Sequence, residues 1–300
     1  MPYAPIVIIT LYRYKHLKLC LSSLIQCTGF ERSDVYIVVD YPIKEEHREG
    51  YNQICDYIAQ LCEEYKNITI IKRQNNYGPI MNLSDAYNCY IKPHYQAWIF
   101  SEDDNVFSQN FLEFINYHLA KYETDDTIHA VCGYNYPIYD NQEDVIYKSY
   151  MYSPWGVGFW VRKGYDVTID ELYTYMKSIK KAFSIFKQSK YLFHMNTAML
   201  YSHVFYGDSV LRTRLLLNQQ SCIFPLISKV RNIGFDNTGI NCQSDGGVHQ
   251  SQVIDTNITY KEPAEDKNII RSAQYKSYFR IPISTIMKSV IKYILWRVRV

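Results

Sequence analysis

Residues 98–104 read Trp98-Ile99-Phe100-Ser101-Glu102-Asp103-Asp104, a short apolar run that ends in three consecutive carboxylates. Apolar and small residues closed abruptly by acids are the pattern of a buried strand whose carboxyl end opens into a site. Adjacent carboxylates repel one another unless a cation sits among them. Mg2+ and Mn2+ favour oxygen ligands and commonly share them with substrate phosphates. The stretch therefore predicts a metal–diphosphate site at the tip of a central strand. The plainer reading is a solvated acidic turn that opens the helix expected over Phe107–Tyr122.

Outward from this stretch, strand and helix patterns alternate. Pro5–Thr10 (PIVIIT) is a continuous apolar run, as a strand covered on both faces requires. His16–Cys27 carries Leu17, Cys20, Leu21, Leu24 and Ile25 at helical spacing. Val35–Asp40 (VYIVVD) is a second strand, ended by an acid and stopped by Tyr41-Pro42. Glu45–Tyr65 reads as a long helix, Ile68–Ile71 as a third strand, and the polar loop Arg73–Gly78 leads into a helix over Pro79–Tyr90. After the acidic triplet and its helix comes a fifth strand at Ile128–Cys132. Such alternation predicts an α/β fold with a Rossmann-like, mostly parallel central sheet flanked by helices. Ligands of such sheets bind beyond the carboxyl ends of the strands. Thr10–Arg13, Asp40, Arg73–Gly78 and Glu102–Asp104 all fall at those ends.

Composition bounds the class. With 300 residues, 47% of them hydrophobic, the chain can bury one large core or two small ones. Gly (12) and Pro (10) are scarce, so the chain reads as ordered throughout. Its 30 tyrosines read first as amphipathic packing residues and second as platforms on which sugars stack. The eight cysteines form no Cys-x-x-Cys pair, and Cys20/Cys27 and Cys55/Cys62 lie within helical patterns, as reduced core thiols do. Pro5–Leu11 is too short and lacks the basic lead of a signal peptide, which points to the cytoplasm.

The net charge of +2 conceals an asymmetry. Lys267 to Val300 holds eight basic residues and no Asp or Glu; setting those eight aside leaves 24 basic against 30 acidic residues, a net of −6 on positions 1–266. A mildly acidic body with a basic tail excludes a nucleic-acid-binding domain with an embedded basic face. The expected organisation is 1–135 as a nucleotide-sugar-binding half, 136–262 as an acceptor-binding and catalytic half, and 263–300 as a basic amphipathic tail.

The nucleotide-sugar assignment comes from a resemblance carried by several pieces in order. Strand one ends in Thr10-Leu11-Tyr12-Arg13, strand two in Asp40, an Asn76-x-Gly78 loop opens a helix, and an Asp-x-Asp-like triplet follows a hydrophobic strand. The second half adds Ser153-Pro154-Trp155-Gly156-Val157-Gly158-Phe159-Trp160 and Val230-Arg231-Asn232-Ile233-Gly234-Phe235-Asp236-Asn237-Thr238-Gly239. Together they resemble bacterial nucleotide-sugar glycosyltransferases with the glycosyltransferase A fold, of the polysaccharide and lipopolysaccharide type, over roughly residues 4–245. The resemblance implies transfer of a sugar from a nucleoside-diphosphate donor to a saccharide or lipid-linked acceptor. It departs from the family in one place: the triplet is Glu-Asp-Asp, so which two carboxylates reach the metal is open.

The chemistry sets the candidate roles. A departing diphosphate needs its charge stabilised, with Mn2+ or Mg2+ as the implied cofactor. Asp104 is the first choice of ligand; Glu102 and Asp103 would touch the ribose, or the metal through water. Asp40 can accept from a uracil ring or a ribose, which favours a UDP-sugar, or it can cap the next turn. Thr10, Tyr12, Asn76 and Gly78 complete the nucleotide-sugar set, and Arg13 and Arg73 are diphosphate candidates or solvated charges. No Gly-x-Gly-x-x-Gly follows strand one, which argues against NAD. A nucleotidyltransferase would need a Gly-rich basic loop there, and a non-catalytic carbohydrate-binding module would need no acidic triplet.

An acceptor hydroxyl needs a general base for direct displacement. Most acids of the second half (Asp140, Glu143, Asp144, Asp166, Asp170, Glu171, Asp236, Asp245) sit in polar stretches. Asp208 precedes a helical pattern over Val210–Leu217; the resemblance places the base of inverting enzymes at such a junction, and a helix N-cap is the competing reading. By the same resemblance His249 would complete the metal shell, against a plain surface histidine. Trp155, Gly156 and Trp160 are acceptor-binding candidates, with core packing as their alternative.

The last expectation concerns the tail. After Pro282, Ile286, Met287, Val290, Ile291, Ile294, Leu295 and Val298 form one apolar stripe, with Lys288, Lys292, Arg297 and Arg299 off it and Trp296 placed to anchor at headgroups. The segment is too short and charged to span a bilayer, and suits a helix lying on an anionic membrane surface. A terminal helix packed on the body is the alternative. The whole pattern predicts a peripheral protein on the inner face of the cell membrane.

Overall fold

Apolar, largely β-branched runs build the strands of one continuous sheet. The computed structural model describes residues 3–137, 144–202, 204–238, 248–249 and 251–299. In chain order its elements begin with β1 (Ile6–Thr10), α1 (Tyr14–Ile25), β2 (Val35–Val39), α2 (Arg48–Glu64), β3 (Ile68–Lys72) and α3 (Gly78–Ala86). Next come β4 (Ala97–Glu102), β5 (Asn105–Phe107), α4 (Phe111–Lys121), β6 (Ile128–Cys132), β7 (Val145–Ser149) and β8 (Val157–Trp160). Four helices follow, α5 (Ile169–Lys177), α6 (Ile179–Gln188), α7 (Lys190–Ser202) and α8 (Gly207–Asn218). The chain ends with β9 (Ser221–Pro225), β10 (Val230–Asn232), β11 (Ala264–Glu265), α9 (Ala273–Tyr278) and α10 (Ile283–Arg299).

The strand order is β11-β7-β9-β6-β8-β4-β1-β2-β3. Five of its eight pairings are parallel, which gives the expected α/β class with a mostly parallel sheet. In β3-β2-β1-β4 all carboxyl ends lie along one edge, with Thr10 opposite Val39 and Ile9 opposite Glu102. Strict alternation fails at β8, which inserts between β4 and β6 antiparallel to both. The strands of 136–262 and of the tail thus complete the sheet that the first 135 residues begin.

Two further differences have long-range causes. The helix expected from Phe107 starts at Phe111, because Asn105–Phe107 is held as β5 by antiparallel pairing with β10, more than 120 positions away. The tail helix is present, but Trp296 is buried on the body, stacked on Tyr173.

The main core fills both sides of the sheet; Trp98 is its largest fully buried side chain, packed against Tyr87, Phe159 and Tyr165. A second core joins α5–α8 to α10 through Leu172, Met176, Phe193, Leu200 and Trp296. Among the described residues the cysteines are free thiols, as expected, and no helix is long and apolar enough to cross a membrane.

Candidate active site

A cavity of about 790 Å³ opens at the carboxyl edge of β1, β2 and β4, within the usual size of a ligand site. One end is lined by Thr10–Arg13, Asp40, Asn82 and Glu102–Asp104. Tyr191, Tyr206, Asp208, Arg212, Tyr278 and Phe279 line the rest, and Trp155 stands beside Glu102. The sheet register explains the meeting. The parallel pairs bring the triplet beside Thr10, while antiparallel β8 carries the residues before Val157 to the same edge, Val157 lying opposite Phe100.

Asp103 and Asp104 are buried and braced, and Glu102 is half-buried beside them. Asp103 accepts from Thr10 Oγ1 at 2.7 Å and from Arg13; Asp104 accepts from Arg13 Nη2 at 2.8 Å and from Asn232 Nδ2 at 2.9 Å. The β5–β10 pairing delivers Asn232, whose Oδ1 in turn accepts from Gly234 N–H at 2.8 Å. The backbone passes so close that a Cβ at Gly234 would stand 2.2 Å from Asp104 Oδ2, inside any permissible contact. Three carboxyl groups share one guanidinium. Burial, followed by Asp104 and Asp103, pushes the Glu102 carboxyl up to about 8 against the pull of Arg13 and Trp155. Burial also raises Asp103, against Arg13 and with Asp104 adding.

The expected diphosphate arginines have other partners. Arg13 spends its guanidinium on Asp103 and Asp104, at the cavity wall. Arg73 lies behind that wall: Nε donates to Asn82 Oδ1 at 2.8 Å, Nη1 to Asp85, and the plane stacks over Tyr77. A buried arginine tied to three neighbours is a strut. Asp40 lines the cavity, but its oxygens already accept from Tyr41 N–H, Tyr77 N–H, Gly78 N–H and Asn76 Nδ2. Four donors occupy about the whole capacity of a carboxylate, so Asp40 acts as the cap of α3. Asn76 and Gly78 (φ +71°) serve that cap. Tyr12 stacks on His47, with its hydroxyl donating to Thr238 O at 3.0 Å.

The two tryptophans part company. Trp160 pairs with Ala97 at the opposite edge of β4, is buried, and donates to Leu119 O at 3.0 Å. Five residues of extended chain span about 16 Å, so Trp155 and Trp160 cannot share one sugar. Gly156 (φ +65°) has its vacant side-chain position filled by Val230 and Phe111, a packing role. Trp155 alone reaches the cavity, edge-on to Phe235 and His249.

Asp208 reaches it too. Tyr206 holds the N-cap position of α8, so Asp208 sits in the first turn and pairs with Arg212 at 2.8 Å, one turn on. Arg212 is buried and anchored by donating to Tyr152 O at 2.8 Å and to Tyr136 Oη at 3.1 Å. Burial holds the Tyr152 phenol well above its ordinary value, and the charges acting on it include both Asp208 and Glu102.

His249 stacks on Phe235 with ring centroids 4.2 Å apart, and among the described residues no three His, Cys, Asp or Glu side chains converge as a metal cage. A Mg2+-type ion held by one or two carboxylates plus substrate phosphates needs no such cage. Of the other acids, Glu171 pairs with Arg214 and Asp144 lies 3.6 Å from buried Lys229, while Asp140, Glu143 and Asp245 lie outside the described residues, as does Gly239 of the Asn-Ile-Gly-Phe segment. Sequence reasoning passed over Arg212, Tyr191, Tyr278 and Phe279. Their signal was faint: an arginine four residues after Asp208, and aromatics among 30 tyrosines.

No protein-family model and no curated protein matches the chain. Solved structures do. The mannosyltransferase PcManGT from Pyrobaculum calidifontis, in complex with GDP-Man and Mn2+, is 12% identical over 53% of this chain and 44% of that chain, with a TM-score of 0.38. Residues 1–349 of S. aureus TarS match at 12% identity over 73% of this chain and 71% of that one, TM-score 0.42. TarS in complex with UDP-GlcNAc matches at 12%, over 54% and 46%, TM-score 0.40. This chain spans less than half the length of the mannosyltransferase. The fold described above stands on strand order and register.

Proposed function

We propose that the chain is a glycosyltransferase that moves a sugar from a nucleoside-diphosphate donor to a saccharide or lipid-linked acceptor, with inversion, in bacterial surface-polysaccharide synthesis. The observation that carries this is a single cavity lined by both the acidic triplet and Asp208, the latter among aromatic side chains. In the reaction the acceptor oxygen bonds to the anomeric carbon as the bond to the diphosphate oxygen breaks. The acceptor proton passes to Asp208, and the bonding electron pair leaves with the diphosphate.

The triplet suits a divalent cation by charge: three carboxylates crowd around one guanidinium, the crowding drives Glu102 toward its protonated form, and a bound cation would relieve it. A bound Mn2+ or Mg2+ supplies charge neutralisation for the departing diphosphate, and Asp104 and Glu102 are the residues that would hold it. Arg212 fixes the rotamer of Asp208. Trp155 and the tyrosines offer faces on which a sugar stacks. With Asp40 committed to its cap, selection of the base falls to other groups at that end.

The test is thermal stabilisation by a panel of nucleotides with Mn2+. A nucleoside diphosphate at a hundredfold excess over its Kd should stabilise the protein by about 2.7 kcal/mol. A response to triphosphates alone would favour nucleotidyl transfer, and no response a non-catalytic role.

A further inference from the structure

We propose that α6 and α10 together form a docking face for an anionic lipid bilayer, set beside the acceptor end of the cavity. Residues 172–207 and 267–300 contain no Asp or Glu. They hold thirteen of the 32 basic residues, which leaves 19 basic against 30 acidic on the rest, a net of −11. Although far apart in sequence, the two segments pack together. Tyr293 Oη donates to Met176 O at 3.1 Å, Arg297 Nη1 to Lys177 O at 2.6 Å, and Tyr201 Oη to Lys292 O at 2.6 Å. The fold thus brings these two acid-free segments together.

That side is apolar as well as basic. On α10, Ser289, Val290, Tyr293 and Trp296 turn inward, while Met287, Ile291, Ile294, Leu295 and Val298 are between 50% and 82% exposed. On α6, Ile179 and Phe183 are 66% and 64% exposed. They lie on the flank of α6 that carries Phe186, which packs on Phe193, which packs on Tyr293 of α10. Exposed Lys177, Lys180, Lys181, Lys288, Lys292 and Arg299 border these side chains. Exposed large apolar groups ringed by lysines, on a protein otherwise negative, complement an anionic headgroup layer with an apolar interior.

The position has a consequence for the acceptor. Tyr278 and Phe279 line the cavity, and α10 begins four residues after Phe279. A protein seated on this face holds the acceptor end of its cavity at the membrane, where a lipid-linked sugar would lie. That consequence rests on the proposed transfer reaction; the docking does not.

The experiment is co-sedimentation of the full chain with vesicles of phosphatidylglycerol and phosphatidylcholine, or of phosphatidylcholine alone, at low and high salt. Binding is expected only with phosphatidylglycerol, and weaker in high salt. Replacing Ile294 and Leu295 by Glu, or Lys180 and Lys181 by Glu, should each weaken it at least tenfold, the first by removing apolar insertion and the second by reversing basic charge. All four side chains are exposed, so both variants should melt as the parent does. Failure of the parent to bind, or parent-like binding by the α6 variant, overturns the two-helix face. A lipid-free dimer that Ile294→Glu splits would assign the face to a second copy instead.

Discussion

An Asp104→Asn protein should lose transfer by about 10³-fold, equivalent to roughly 4 kcal/mol of transition-state stabilisation, and should lose Mn2+-dependent nucleotide binding with it. The same carboxylate would hold the cation and is gripped by Arg13 and Asn232, so asparagine keeps its volume while removing its charge. The side chain is buried, not solvated as in an open acidic turn, so the change also carries a structural cost. An amide can satisfy Asn232 or Arg13 but presents N–H to the other, which predicts a loss of about 1–3 kcal/mol and a melting temperature lower by several degrees. Asp104→Ala would strip an acceptor from both Arg13 and Asn232, leaving them Asp103 and Asn105, and cost more. Near-normal turnover by Asp104→Asn in the presence of chelator would remove the triplet from the reaction.

Asp208→Asn carries the second large expectation. Loss of a general base costs about 10²–10⁴-fold in rate, while donor affinity should stay within a small factor because the nucleotide end of the cavity is untouched. The amide oxygen can still accept from Arg212, so the positioning contact survives without the basicity. Turnover measured beside donor affinity separates the roles. A protein that keeps more than half its rate would show Asp208 to be only the partner of Arg212. Asp236, which lies 3.1 Å from His16, would then be next.

Much of this arrangement was legible because it depends on local pattern. β1, β2 and β4 are apolar runs, and an acid or polar group at the end of each marks the binding edge. What escaped was set by pairing across long stretches of chain. Arg13 meets Asp103 and Asp104 some 90 positions away, so its commitment to them could not be read from spacing. Trp155 and Trp160 look alike in sequence, and only the antiparallel register of β8 sends one to the cavity and the other to the far edge. Periodicity found the stripe of α10 but not which of its flanks meets the body, so Trp296 was placed outside when it is buried. The Tyr278–Phe279 wall was hidden because the tail read as a separate unit.

The central claim is that the cavity breaks the bond between a sugar and a nucleoside diphosphate. Phosphorus NMR of the protein with Mg2+ and a panel of nucleoside-diphosphate sugars reads that bond directly, with water as a slow surrogate acceptor. The expected result is release of the nucleoside diphosphate from at least one donor, suppressed by chelator and by Asp104→Asn. Contradiction would be an unchanged spectrum for every donor while a nucleoside triphosphate and a sugar phosphate give pyrophosphate.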